Sequence, residues 1–119
     1  MRNMSFMLTT EQMYSQTKLV TRRQGWDFLK IGDIIQAVEK CQGIPKGGHI
    51  KKIGKIIILE TRWEPIFQMI HVPQYGESEV ILEGFPQMTP KEFVEMYCNH
   101  NKVKQWERCN RIRFDHVVE

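Results

Sequence analysis

The sequence lacks the features that mark several common classes of protein. Its three cysteines include no Cys-x-x-Cys pair, so their spacing indicates neither a disulfide framework nor a tetrahedral zinc site. No apolar run approaches the roughly 20 residues that a membrane-spanning helix needs, and the N-terminus has no signal-peptide core. We therefore expect a protein of the reducing cytoplasm that does not enter a membrane and needs no metal or cofactor.

The composition is that of a folded globular domain. The sequence has 119 residues, of which 41% are hydrophobic and 26% are charged. A chain of this length buries roughly two-thirds of its unfolded surface in one core. Because no repeat or linker is visible, we predict a single domain over residues 4–119, with Met4 as a plausible start and residues 1–3 as a ragged end.

The positive charge is modest in total but clustered along the chain. Lys and Arg number 17 against 14 Asp and Glu, which gives a formal net charge of +3. Three clusters stand out, namely Lys18 with Arg22 and Arg23, Lys46 with Lys51, Lys52 and Lys55, and Lys102 with Lys104. Clustered cations focus the electric field that attracts phosphate groups. For the second and third clusters, ordinary solvated lysines are the alternative.

Three segments have the composition of β-strands. Residues 34–39 and 54–63 are rich in β-branched side chains, and residues 110–118 alternate charged with apolar side chains. Ile56 to Leu59 is apolar on both faces, which predicts that this strand lies centrally. The side chains of the last segment that are expected to point inward are Ile112, Phe114 and His116, opposite Arg111 and Arg113.

Helix-start chemistry is clear in one segment and absent from another. Thr89 to Glu92 combines a Thr N-cap, a Pro at the first helical position and a Glu that completes a capping box. Residues 70–83 are the least regular stretch. There we predict a loop over Pro73 to Gly76, followed by a short helix that ends near Glu83 and Gly84.

The most informative segment is Lys18-Leu19-Val20-Thr21-Arg22-Arg23, which packs three cations and a hydroxyl group into six residues. On a regular strand, Lys18 and Thr21 point to opposite faces. They converge only if the backbone bends or bulges between them. Without such an irregularity, Lys18, Val20 and Arg22 share one face and form a simpler basic patch.

This segment resembles the signature of the ASCH domains, a branch of the PUA-like RNA-associated β-barrels. Lys-x-x-Thr-x-Arg over residues 18–23 is followed by a Lys-x-Gly-Asp turn at residues 30–33, and Glu83-Gly-Phe-Pro by Met-Thr-Pro-x-Glu-Phe-Val at residues 88–94. Stand-alone ASCH proteins of phage and bacterial genomes are the most similar type. The resemblance implies an α+β, mostly β fold, a small PUA-like barrel of about five to six strands with two or three short helices.

The resemblance also implies a catalytic set. In ASCH proteins that look like small amidohydrolases of N4-acetylcytidine, the Lys-x-x-Thr segment works with a Glu just ahead of a helix that starts with Met-Thr. By this likeness, Thr21 is the nucleophile, Lys18 is the base that activates it, and Glu83 carries protons. Lys and Thr alone are weakly reactive at neutral pH, so a carboxylate partner is chemically needed. Composition and spacing alone do not select Glu83 from the other glutamates nearby.

Further residues are candidates for binding a ligand. The guanidinium groups of Arg22 and Arg23 offer forked donors that match paired phosphate oxygens. Trp26 follows the basic run and can stack a base, although core packing is the common alternative for an aromatic residue. Lys51 and Lys52 add cations from the second cluster.

The leading hypothesis is an ASCH-type domain that binds RNA or a modified nucleoside in a basic cleft. Whether it also hydrolyses its ligand, in the manner of an N4-acetylcytidine amidohydrolase, is left open by the sequence. The alternatives are a ribonuclease-type ASCH protein and a non-enzymatic phage or bacterial module that binds another protein. Geometry discriminates between them. A concave pocket that holds Lys18, Thr21 and Glu83 favours hydrolysis, a basic groove without Glu83 favours binding alone, and a flat apolar patch favours a protein partner.

Overall fold

The chain folds into one mixed β-sheet accompanied by helices, as seen in a computed structural model that describes residues 1–118. The elements in chain order are β1 (Asn3–Ser5), a 3-10 helix (Met7–Thr9), α1 (Thr10–Tyr14), β2 (Val20–Arg23), β3 (Ile34–Val38), β4 (Lys52–Pro65), α2 (Gln68–His71), α3 (Pro73–Glu83), α4 (Pro90–Asn101) and β5 (Arg108–His116). The α+β class predicted from the sequence is thus confirmed.

Strand β4 is the middle strand of the sheet, as its two apolar faces predicted. The strand order is β1-β3-β4-β5-β2, with β1 parallel to β3 and the other pairs antiparallel. Ile56 and Ile58 of β4 are buried beside Ile112 and Phe114 of β5, where they form the main core. The inward orientation of Ile112 and Phe114 is therefore confirmed, while His116 is half-buried.

The expected closed barrel is not formed. The described strand pairings begin at β1 and end at β2, so the five-stranded sheet stays open. These edge strands have only three and four residues, which gives little backbone for a further ladder. A side chain bridges them instead, because Nη2 of Arg23 donates a hydrogen bond to the carbonyl oxygen of Ser5 at 2.6 Å.

Helix α4 begins where the sequence predicted. The hydroxyl of Thr89 accepts a hydrogen bond from the backbone N–H of Glu92 at 3.1 Å, and the Glu92 carboxylate accepts one from the N–H of Thr89 at 2.9 Å. This reciprocal capping box satisfies two N–H groups at the helix start. Phe93 and Tyr97, one turn apart, then pack into a second core cluster between the helices and the start of β5.

Helix α3 is longer than predicted, since Pro73 to Gly76 is its first turn and not a loop. Gly76 is buried, and a Cβ atom at this position would overlap the carbonyl oxygen of Met69 and the ring of Pro90. In the sequence this glycine indicates a loop, but in the structure it allows α3 to approach α2 and the start of α4. The predicted helix end is confirmed, with Gly84 in the left-handed conformation at φ 98°.

The N-terminal residues also differ from expectation. Asn3 pairs with Gln36 in the parallel ladder between β1 and β3, so it is part of the sheet and not of a ragged end. The backbone carbonyl of Arg2 accepts a further hydrogen bond from the N–H of Gln36 at 2.9 Å. Within residues 1–118, no helix is long and apolar enough to cross a membrane.

Candidate functional site

A cavity of about 230 Å³ lies between the N-terminal segment, β2, the end of α3 and one face of α4. Its charged lining residues are Lys18, Arg22, Arg23 and Glu83, and Thr21 contributes a hydroxyl group. Its aromatic lining residues are Phe6, Phe85, Phe93, Tyr97 and His100. The cavity thus combines apolar ring surfaces with a compact set of charges on one side.

Lys18 and Glu83 form a buried ion pair at this cavity. Nζ of Lys18 lies 2.8 Å from Oε1 of Glu83 and 2.7 Å from its backbone carbonyl oxygen. Both side chains are only 3% exposed. The pair is held in place by the neighbouring backbone, because the N–H of Leu19 donates to the carbonyl oxygen of Leu82 at 2.8 Å.

The convergence of Lys18 with Thr21 does not need a β-bulge. Strand β2 begins only at Val20, so Lys18 precedes the strand and escapes its strict alternation of faces. The carbonyl oxygen of Lys18 accepts a hydrogen bond from Nε2 of His116 at 2.8 Å, which fixes this entry to the strand. Lys18, Thr21 and Glu83 therefore line one cavity, as expected, while their catalytic roles stay predictions.

Thr21 is oriented by Arg23 and not by Lys18. Its Oγ1 accepts a hydrogen bond from Nε of Arg23 at 3.1 Å, which agrees with the position of the two residues on one face of β2. Across the described residues 1–118, its hydroxyl has no hydrogen bond to Lys18. The hydroxyl proton is therefore available to another acceptor, such as a group of a bound ligand.

Arg22 holds carboxylates in the interior. Its Nη1 lies 2.9 Å from Oε2 of Glu83, and its Nη2 lies 2.5 Å from Oε1 of Glu79 and 3.4 Å from Oε2 of Glu64. Burial disfavours its charged form, but the charges of Glu83 and Glu79 outweigh this effect and raise the pKa of Arg22. The sequence predicted phosphate binding by Arg22, whereas its side chain is fully buried and committed to glutamates.

A second group of charges behind Arg22 was missed by the sequence reasoning. Glu79 accepts hydrogen bonds from Nε and Nη2 of Arg111 at 2.5 and 3.0 Å, and the hydroxyl of Tyr75 donates to Glu64 at 2.9 Å. Burial opposes ionisation of Glu79, but Arg111 and Arg22 together lower its pKa. The strand alternation placed Arg111 outside, which is wrong because Arg111 is buried. The four-residue spacing of Glu79 and Glu83 on one helix was the available signal.

Arg23 is the cation at the cavity for which the described residues 1–118 provide no acidic partner. Its guanidinium bonds to Thr21 and to the backbone of Ser5, and it lies 4.8 Å over the ring of Phe6. In the described part of the chain, no carboxylate lies within ion-pair distance of it. Burial lowers the pKa of Arg23 to about 10, which still leaves it charged at neutral pH.

The pKa of Lys18 is lowered as well. Burial is the main cause, the charges of Arg23 and Arg22 add to it, and Glu83 opposes it only in part. A lysine in this state gives up its proton more readily than a solvated one, which is a property of lysines that act as bases.

The remaining predicted ligand-binding residues lie elsewhere. Trp26, at φ 59°, packs partly against the main core and lines a shallow depression with Phe28. Lys51 lines a separate groove, and Lys52 is the exposed first residue of β4. The structure therefore brings Arg23, but neither Trp26 nor these two lysines, to the cavity of Lys18.

Comparison with known proteins gives one structural neighbour. No protein-family model matches the sequence, and no curated protein matches it either. The protein EF3133 of Enterococcus faecalis V583, whose crystal structure is described under the family DUF984, has 13% sequence identity and a TM-score of 0.57. The match covers 92% of this chain and 70% of EF3133. At this identity the likeness is one of fold, so this chain shares the fold of the DUF984 protein EF3133.

Proposed function

We propose that this chain is an ASCH-type protein that binds a modified nucleoside, or an unstacked nucleotide of RNA, in the cavity and hydrolyses an amide of that ligand. In this proposal Thr21 is the nucleophile, and the Lys18–Glu83 pair moves the protons. The proposal has two separable parts, recognition of the base and chemistry at its amide.

The observation that carries the proposal is the buried Lys18–Glu83 pair at the wall of a cavity. Taking two opposite charges out of water costs several kcal/mol per ion, so such a pair is weak as a stabilising device. Perturbed titrating groups that face a cavity are typical of functional sites. Thr21 lines the same cavity, which places a hydroxyl, an amine and a carboxylate around one space.

The chemistry follows from these three groups. The Thr21 hydroxyl loses its proton to Lys18 in its neutral form while Oγ1 bonds to the amide carbon of the ligand. The bond from that carbon to the amine then breaks, and the amine leaves with a proton from the Lys18–Glu83 pair. Water hydrolyses the resulting threonine ester, which restores Thr21 and releases the acid. For N4-acetylcytidine and one water, the products are cytidine and acetate.

The lining of the cavity supports a base as the ligand. Phe85 and Phe93 present ring surfaces, with centroids 5.9 Å apart, against which a planar base can pack. Arg23 offers a cation that lies outside ion-pair distance of every carboxylate in residues 1–118, which suits a carbonyl or phosphate oxygen of the ligand. A volume of about 230 Å³ suits one base with part of its sugar better than a folded RNA.

The test is incubation of the purified protein with N4-acetylcytidine, with cytidine and acetate followed by chromatography. We expect turnover by the wild type and its loss in Thr21→Val, Lys18→Met and Glu83→Gln. The matched control is Glu77→Gln, which removes the same charge from an exposed position of α3 and should keep activity.

A second arm separates the alternatives. Labelled single-stranded RNA is incubated with the same proteins and analysed on a denaturing gel. Intact RNA together with cytidine release supports the proposal. RNA cleavage instead supports the ribonuclease-type alternative, and a wild type that binds the nucleoside but leaves its amide intact removes the hydrolytic part.

A further inference from the structure

A second groove adjoins the cavity of Lys18. Its volume is about 470 Å³, and it lies under the segment that follows β3. Met7 lines both the cavity and the groove, so the two spaces meet at this side chain. Met7 is 57% exposed, and its flexible, unbranched side chain can adapt to a ligand that passes over it.

The charge of this groove is positive. Two lysines, Lys40 and Lys51, line it, against the acidic residue Glu39. The carboxylate of Glu39 accepts a hydrogen bond from the hydroxyl of Tyr14 at 2.8 Å, and this bond partly offsets the negative charge of the carboxylate. Both Lys40 and Lys51 are exposed and therefore accessible to an anionic ligand.

We propose that this groove holds the backbone of a single RNA strand whose neighbouring nucleotide occupies the cavity. The inference rests on the proposed function and narrows its ligand, since the substrate is then a nucleotide within a strand and not a free nucleoside. Lys40 and Lys51 contact phosphates, and Met7 lies beneath the strand where it passes from groove to cavity.

Continuity and charge together favour a strand as the occupant. A free nucleoside fills the cavity alone and leaves the groove unused. A strand with one unstacked base in the cavity must continue on either side, and the groove provides an adjoining path that carries positive charge. Cations that follow a phosphate backbone, next to a space for an unstacked base, are the recurring arrangement in single-strand recognition.

The experiment compares a fluorescein-labelled RNA of about five nucleotides with N4-acetylcytidine. RNA affinity is measured by fluorescence anisotropy over a range of salt concentrations, and nucleoside turnover by chromatography. The test variant is Lys40→Ala with Lys51→Ala. The matched control is Lys30→Ala with Lys104→Ala, which removes the same charge from exposed positions outside both spaces.

In the test variant we expect RNA affinity to fall about tenfold and the slope of log affinity against log salt to drop by about 1.4, the value for two lost single-strand phosphate contacts. Nucleoside turnover should stay at the wild-type level, and the control should keep its RNA affinity. Equal losses in the two variants, or a wild type that binds a pentaglutamate peptide as well as RNA, would overturn the inference. Loss of RNA affinity in the test variant alone, from a protein that leaves N4-acetylcytidine intact, supports the groove and removes only the hydrolytic part of the proposed function.

Discussion

Glu83 holds Lys18 with two of its own oxygens, Oε1 at 2.8 Å and the backbone carbonyl at 2.7 Å from Nζ. Glu83 is the last residue of α3, where the carbonyl groups of the helix lack intrahelical partners and carry partial negative charge. The ammonium group satisfies one of these carbonyls. The position of Lys18 is therefore fixed by the helix end as well as by the carboxylate.

Replacing Arg22 with alanine is expected to destabilise the fold by about 3–5 kcal/mol, because it leaves Glu79 and Glu83 buried without their shared counter-charge. The free energy of unfolding is measured by urea titration. The control is Arg62→Ala, since Arg62 pairs with Glu64 but is 47% exposed and should contribute less than about 1 kcal/mol. Similar losses in both variants would contradict the buried role of Arg22.

Acid should weaken the fold through Glu79. Its pKa is lowered in the folded protein from its ordinary value of 4.5, so the unfolded chain binds protons first as the pH falls. The contribution to stability is thus complete above about pH 4.5 and is lost as the pH falls through the lower folded pKa. In urea titrations from pH 7 to pH 3, the free energy of unfolding should fall less steeply with decreasing pH for Glu79→Gln than for the wild type. Exposed Glu95→Gln should follow the wild type, and a Glu79→Gln curve parallel to both would refute the assignment.

The side-chain contact between β1 and β2 depends on the guanidinium group of Arg23, which binds Ser5 and Thr21 at the same time. Arg23→Lys keeps the charge but removes the hydrogen bonds to Thr21 and Ser5, each worth about 0.5–1.5 kcal/mol. We expect a loss of roughly 1–3 kcal/mol in the free energy of unfolding. Thr21→Val removes the hydroxyl and only one of these bonds, so its loss should be smaller. The prediction fails if the lysine variant is as stable as the wild type.

The capping box predicts that Thr89→Ala lowers the free energy of unfolding by about 1 kcal/mol. The hydroxyl of Thr89 satisfies an N–H group that the helix itself leaves free. Thr89→Ser keeps the hydroxyl and should restore most of the stability. A denaturant titration of the three proteins decides the matter, and a serine variant as weak as the alanine variant would point to packing instead of the cap.

The full length of helix α3 could not be predicted from the sequence, because its buried face is not hydrophobic. That face consists of Gly76, Glu79, Val80 and Glu83, so hydrophobic periodicity is missing where it normally identifies a helix. Strand β4 and helix α4 were predictable because an apolar run and a capping box are local signals. The two glutamates meet Arg22 only through tertiary packing, and no local pattern carries that information.

The cavity residues were predictable from the resemblance to ASCH domains more than from strand periodicity or composition. The Lys-x-x-Thr spacing and the glutamate before Met-Thr pointed to Lys18, Thr21 and Glu83, which the fold brings to one space. On a regular strand, the side chains of Lys18 and Thr21 would point to opposite faces. This rule does not apply here, because β2 starts two residues after Lys18. The predictions for Arg22 and Trp26 rest on side-chain chemistry, which gives no information about where the fold buries a residue.

The close contact at Gly76 has a consequence for the distant end of α3. Glu79 and Glu83 lie three and seven residues further along the same face, the latter about 10 Å away along the helix axis. A helix transmits a displacement at one end to the other, so the gap that Gly76 leaves to Met69 and Pro90 sets how far both carboxylates reach toward β2. A residue with no side chain thus acts as the spacer that sets the charge geometry of the cavity. A substitution there would impair the site without replacing any group in it.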